Sequence, residues 1–303
     1  MKLKAYTAAP ILAALVYLLT LCADPLIARL DMDVNAYIAT SGGIQLASYL
    51  LPLVLYFLLF GKTSIKRMRV SLPTAVSIPL AALLGCILLV GTALLSMSLE
   101  RIGVLAPATD RITGVGAPNA LLLAVFAILP ALCEEVVFRG VILSSFEPCG
   151  TAPAIFGSAL LFAFAHMSLE KLPIYFFAGV VLALAVYACR SLVAAVLLHA
   201  VYNIATLLLG EYLSGIAAHL ESFSLLFIVL LFVLGVCILL ALGEGARVYG
   251  IYAERNLDSE YTPKKMSPAM RMRGRASVYF SVPFLLCALI YIAVIVFSLQ
   301  NIS

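Results

Sequence analysis

An all-α bundle of membrane-spanning helices is the architecture this sequence encodes. Apolar runs long enough to cross a bilayer recur along all 303 residues. Charge is scarce: 11% of the residues are Asp, Glu, Lys or Arg, against roughly 25% in soluble domains. The runs are continuous rather than alternating, which excludes a β-barrel. With 64% hydrophobic residues and a mean hydropathy of +1.13, residues 1–303 read as a single polytopic domain embedded in the lipid bilayer.

About nine spans follow in order. The first, 8–27, comes after Lys2 and Lys4 and reads as a retained helix, because no small-x-small cleavage site closes it. The second and third, 44–60 and 73–98, flank a basic loop at 61–72. The fourth, 119–145, is the one interrupted by charge. A turn, Glu147-Pro148-Cys149-Gly150-Thr151, separates it from the fifth, 152–168, so these two are antiparallel neighbours. The sixth, 173–189, gives way to the seventh, 191–209, across Arg190. The eighth, 223–243, precedes the one sizeable polar segment, 244–277, and the ninth, 278–299, follows it.

Loop charge orients the bundle, because cytoplasmic loops carry the excess of Lys and Arg. Lys2, Lys4, the 61–72 loop (Lys62, Lys66, Arg67, Arg69), Arg190 and the 244–277 loop fall on one face. That face holds fourteen basic residues, against four on the other: Arg29, Arg101, Arg111 and Lys171. The expected location is the plasma membrane of a bacterium, with the N-terminus in the cytoplasm and the C-terminus outside. The 244–277 segment carries seven basic and four acidic residues. Its mixed charge argues for an orienting cytoplasmic loop rather than a surface for anionic lipid.

No basic patch interleaved with aromatics marks a nucleic-acid binder. The seven cysteines form no CxxC pair and lie in or beside apolar runs, as small apolar residues rather than a disulfide or metal framework.

Within the fourth span, Glu134, Glu135 and Arg139 fall inside a stretch that is otherwise apolar from Ala120 to Leu143. A charge at the centre of a membrane helix costs about 2.5–3.5 kcal/mol on insertion scales, so three such groups require water, a partner or chemistry. Glu135 and Arg139 are four apart and share a helix face. Glu134 is rotated about 100° from Glu135, into a different space. Pro130, one turn earlier, removes a backbone hydrogen bond and can kink the helix. The fifth span holds Phe162 and His166, four apart, and the seventh His199 and Asn203, again four apart. His219 falls in an outside loop. Thus Glu134, His166, His199 and Asn203 can reach one pocket at moderate depth, with His166 nearest the outer edge of its span.

A carboxylate and a histidine can position and deprotonate water, while a second histidine and an amide can donate to an oxyanion as it develops. Two histidines and a glutamate also match a catalytic zinc set in type, with Glu134, His166 and His199 as the candidate ligands. The usual HExxH spacing is absent, so spacing identifies no metal.

At these residues the chain resembles the CPBP family of intramembrane proteases, the CAAX protease and bacteriocin-processing (Abi) family. Its EExxxR motif is matched by Glu134-Glu135-Val136-Val137-Phe138-Arg139, its FxxxH by Phe162 to His166, and its HxxxN by His199 to Asn203, in order and on successive core spans. The resemblance covers about 119–209 and implies a CAAX-protease-like core there. It implies that Glu134 and His166 activate a water, that His199 and Asn203 stabilise the oxyanion, and that Glu135, Arg139 and Phe162 support the site. The family is often labelled a metalloprotease, and a metal-free glutamate mechanism is also argued, so a divalent metal such as zinc stays open as a cofactor.

The expected function is therefore an intramembrane endopeptidase acting on a membrane-associated protein or peptide. Two other classes use the same residues differently. An ion-coupled transporter would employ carboxylates and histidines as a proton relay, although no inverted repeat is evident. A non-catalytic membrane adaptor would keep the fold alone.

Overall fold

A computed structural model describes residues 5–27, 31–60, 68–105, 120–219, 223–255 and 267–300. Lys2, Lys4, Arg29, Lys62, Lys66, Arg67, Arg111, Lys264 and Lys265, all used above to orient the bundle, lie outside these residues. The described residues form ten helices and no strand. They are α1 (Ala5–Ile27), α2 (Val34–Phe60), α3 (Ile78–Arg101), α4 (Ala120–Cys149), α5 (Thr151–Ala165), α6 (Leu172–Cys189), α7 (Leu192–His219), α8 (Phe223–Glu254), α9 (Pro268–Tyr279) and α10 (Val282–Gln300).

Six of the helices are long and apolar enough to cross a membrane: α2, α3 with its preceding turn, α4, α6, α8 and α10. Shorter apolar stretches lie at Thr7–Ala23, Thr151–Ala165 and Leu192–Leu208. The protein is an integral membrane protein built as a helical bundle. Over half of the apolar stretch of α4 and of α6 is buried, whereas almost none of that of α8 is. The centre is thus α4, α5 and α6, and the exposed faces of α2, α8 and α10 are apolar, as lipid requires.

α4 is not one regular helix. Two π-helical stretches, Ala124–Ile128 and Val136–Leu143, flank a short α-segment, Leu129–Glu135. Pro130 sits in the first turn of that segment, where its missing N–H is tolerated. The sequence suggests a proline kink at this point. The departure from α geometry is larger than that and brackets both glutamates, in the way π segments often mark functional sites.

At the foot of α4, Gly150 adopts φ +118°, a conformation that favours glycine, and closes the turn into α5. The resulting hairpin has a fixed register. Phe138 and Phe162, equally far from Gly150 along the chain, meet edge to face with ring centroids 5.5 Å apart. Glu134 and His166 are the next equidistant pair one turn further on, so they occupy about the same level.

α6 returns beside α5 at very close range. A Cβ on Gly179 would lie 2.9 Å from Ala159 Cα, so only glycine permits this crossing. From the other side α1 is tied in by Tyr17, whose hydroxyl donates to the Leu161 carbonyl, and by Pro10, whose carbonyl accepts from Cys287 of α10 at 3.2 Å.

One end of the bundle gathers several connections. Arg69 pairs with Glu147 at 2.5 Å, lies over the Tyr187 ring, and accepts the Leu192 N–H through its own carbonyl. Ser191 donates to the Ser71 carbonyl, and Arg247 donates to the Val76 carbonyl at 3.0 Å. The basic segments around Arg69, Arg190 and Arg247 therefore share an end, as their grouping by charge requires.

Two expectations change. His219 is not in a loop but is the last residue of helix α7. The described residues of the polar segment 244–277 are largely helical, because α8 continues through Arg247 to Glu254 and α9 begins at Pro268. Polar side chains at a bundle end do not stop a helix whose backbone bonds are already satisfied. None of the seven cysteines forms a disulfide.

Candidate active site

Glu135 is fully buried and makes two contacts through one oxygen. Arg139 Nη1 donates to its Oε1 at 2.7 Å, as the four-residue spacing anticipates. His199 Nδ1 donates to the same oxygen at 2.8 Å. An ion-paired carboxylate only accepts, so the proton must sit on Nδ1 of His199. Arg139 is anchored twice more. Its Nη2 donates to the Gly179 carbonyl at 3.2 Å, and its guanidinium lies 4.2 Å from the Phe162 ring centroid. Such a cation–π contact strengthens where water is excluded.

Glu134 takes a different direction, as its rotation predicts. Its Oε2 lies 3.9 Å from His199 Nε2, so His199 stands between the two glutamates, one at each ring nitrogen. Among the described residues Glu134 Oε2 is buried and has no hydrogen-bond partner. Leaving such an atom unsatisfied costs about 1–3 kcal/mol, more if charged. Tyr49 of α2, also buried, lies within electrostatic range of Glu134.

Phe162 is the hub of the site. Beside the guanidinium, its ring packs on His166 at 4.8 Å and on His199 at 5.8 Å. His166 caps the end of α5, and its Nδ1 lies 2.9 Å from the Phe162 carbonyl. A carbonyl only accepts, so Nδ1 carries the proton and neutral His166 keeps a lone pair on Nε2. Its ring stacks on Tyr175 of α6, with centroids 3.7 Å apart and planes 21° off parallel.

Asn203, one turn beyond His199, donates from Nδ2 to the Ala127 carbonyl at 3.2 Å. That bond uses one of its two amide hydrogens and leaves the other for a second acceptor.

The structure thus brings Glu134, Glu135, Arg139, Phe162 and His199 into direct contact. His166 joins them through the Phe162 ring, and Asn203 joins from the next turn of α7. Four participants escaped the sequence: Tyr175, the Gly179 and Ala127 carbonyls, and the bond from Glu135 to His199. Only the last had a signal, since two buried polar groups on facing helices tend to pair.

Among the described residues no three of His, Cys, Asp and Glu converge as a metal site. His166 Nδ1 is committed to a carbonyl, which leaves Nε2 as its open nitrogen. A cation placed beside Glu134 would also face the Arg139 guanidinium across the cluster.

Residues 116–205 match the family model described as Rce1-like, type II CAAX prenyl endopeptidase. No curated protein and no solved structure matches the chain at a significant level. The matched segment runs from just before α4 into α7 and holds Glu134, Glu135, Arg139, Phe162, His166, His199 and Asn203. Through residues 116–205 the chain matches the CAAX protease (CPBP) family that its three motifs resemble.

Proposed function

We propose that the protein is an intramembrane endopeptidase that hydrolyses a peptide bond in a membrane-associated protein or peptide. The observation that carries it is the buried pair of Glu134 and His199, 3.9 Å apart and held by Glu135 and Arg139 inside the family-matched segment. Glu134 has an unfilled hydrogen-bonding oxygen beside the His199 imidazole, which suits a general base for water.

In this mechanism a water hydrogen-bonds to Glu134 and to the lone pair on His166 Nε2. Its oxygen adds to the scissile carbonyl carbon while its proton passes to Glu134. The carbonyl oxygen becomes an oxyanion, which accepts from the second amide hydrogen of Asn203 and from His199 Nε2. Collapse re-forms the C=O bond and breaks the C–N bond, and Glu134 returns the proton to the departing amine.

Charge counting supports the part given to His199. Two carboxylates face one guanidinium in a buried site, so the cluster is short of one positive charge. A proton on Glu134 or on His199 Nε2 balances it, and the 3.9 Å separation lets either hold it. With that proton on Nε2, His199 becomes a donor.

The CAAX description suggests the first substrate to try, a membrane-tethered protein ending in a prenylated CaaX sequence, with its unprenylated counterpart alongside. Wild type in proteoliposomes cleaves, and Glu134→Ala and His166→Ala in matched amounts do not. Equal cleavage by all three proteins ends the hydrolase assignment.

A further inference from the structure

The polar stretch between α8 and α10 looks charge-balanced when taken whole. The fold divides it. All four acidic residues, Glu244, Glu254, Asp258 and Glu260, precede Tyr261, whereas five basic residues and no acidic one lie between Tyr261 and Tyr279. Glu244 is already engaged by Arg247, whose Nε donates to it at 2.8 Å. Mixed charge therefore does not describe α9, which carries Arg271, Arg273 and Arg275 and no acid.

The placement of α9 is equally specific. It lies across the bundle end formed by the α4–α5 turn. A Cβ on Gly274 would come within 2.4 Å of the Cys149 carbonyl oxygen, so the helix backbone rests directly on that turn. Val278 is fully buried, against Gly157 and its surroundings. The outer side is exposed and of two kinds. Arg273 and Arg275 are exposed, and so are Met272, Phe280 and Val282. The helical hydrogen bonding continues to Phe280, whose N–H bonds the Ala276 carbonyl at 3.0 Å. Arg273 and Phe280, seven residues apart, therefore stack along one side. Two residues later the chain enters the apolar helix α10. Large apolar side chains beside arginines, at the mouth of a membrane span, are the pattern of a helix lying in the headgroup layer.

We propose that α9 is an interfacial helix that binds the headgroups of anionic phospholipids through Arg273 and Arg275, with Met272 and Phe280 set among the acyl chains. The partner is the bilayer surface itself. Charge complementarity selects it, since nothing acidic on α9 competes for the two guanidiniums and phosphate suits their planar donor fork.

The test is native mass spectrometry of the full chain, purified from nanodiscs containing phosphatidylcholine and phosphatidylglycerol in equal parts. Wild type retains phosphatidylglycerol in preference to phosphatidylcholine. At about 1 kcal/mol for each basic residue near a charged surface, each arginine contributes roughly a fivefold preference. R273Q/R275Q loses most of that preference, R273K/R275K keeps it, and R247Q, which removes a charge already paired with Glu244, leaves it unchanged. Raising the salt before extraction weakens it in wild type. Soluble glycerophosphate does not displace the retained lipid. Equal lipid preference in wild type and R273Q/R275Q, with both proteins melting alike, overturns the proposal, as does an equal loss in R247Q.

Discussion

Glu134 and Glu135 are neighbours in sequence with opposite duties, and substitution should separate them. Glu134→Gln keeps the shape and removes the carboxylate we propose as the base. Cleavage should fall by about 10²–10⁴-fold, the usual worth of a positioned general base, with an unchanged melting temperature in detergent. Arg139→Ala should act on stability instead. It strands Glu135 as an uncompensated buried charge, a change worth about 3–5 kcal/mol, and the loss is read as a lower melting temperature and yield. Normal melting of that variant would contradict the three-way anchoring of the guanidinium. The stacking of Tyr175 on the His166 ring makes it a candidate positioning residue. Tyr175→Leu should lower kcat several-fold with little change in KM, in keeping with about 0.5–1.5 kcal/mol for an aromatic pair. Tyr175→Phe should restore it, whereas a role for the hydroxyl would leave the phenylalanine variant impaired.

Among the elements, the crossing of α5 and α6 sets how deep the arginine can reach. Gly179 supplies both the close approach to Ala159 and the carbonyl that Arg139 uses. Gly179→Ala puts a methyl group against backbone atoms that cannot yield, so α6 must move outward. The expected cost is about 1–3 kcal/mol, typical of an overpacked core, together with reduced activity, both measurable on one purified sample. The spacing of charged and polar residues made the rest of this site legible. Glu135 and Arg139, Phe162 and His166, and His199 and Asn203 each fall four apart, and a buried charge is conspicuous in an apolar run. Tyr175 and the Ala127 and Gly179 carbonyls were not legible, because a ring in an apolar helix and a backbone carbonyl leave no mark in composition. The π stretches of α4 were hidden for a related reason: they follow from packing against neighbours rather than from residue preference.

For the molecule as a whole, apolar length and loop charge predicted a membrane bundle, and the structure supplies the helices for one. Helix ends were read less well. α7 runs on to His219 and α8 to Glu254 because polar residues end an apolar run without ending a helix. The connections at Arg69, Glu147, Arg190 and Arg247 meet at one end, whereas the loop after His166 lies at the other. The loop-charge expectation places the first end in the cytoplasm. In intact cells, an impermeant thiol reagent should therefore label Glu170→Cys in a cysteine-free background and spare Ser71→Cys and Ser267→Cys. Labelling of all three, or of the latter two alone, would reverse or dissolve the assigned orientation.

The paired positions on either side of Gly150 imply a sharp boundary on how this protein can diverge. Adding or deleting a single residue between Glu134 and the turn would swing everything beyond it by about 100°, and Glu134 and His166 would no longer share a level while both arms of the hairpin remained helical. Length changes should therefore be confined to the outlying segments, and any relative that retains the chemistry should keep the count between Glu134 and His166 even where almost every intervening letter has been rewritten.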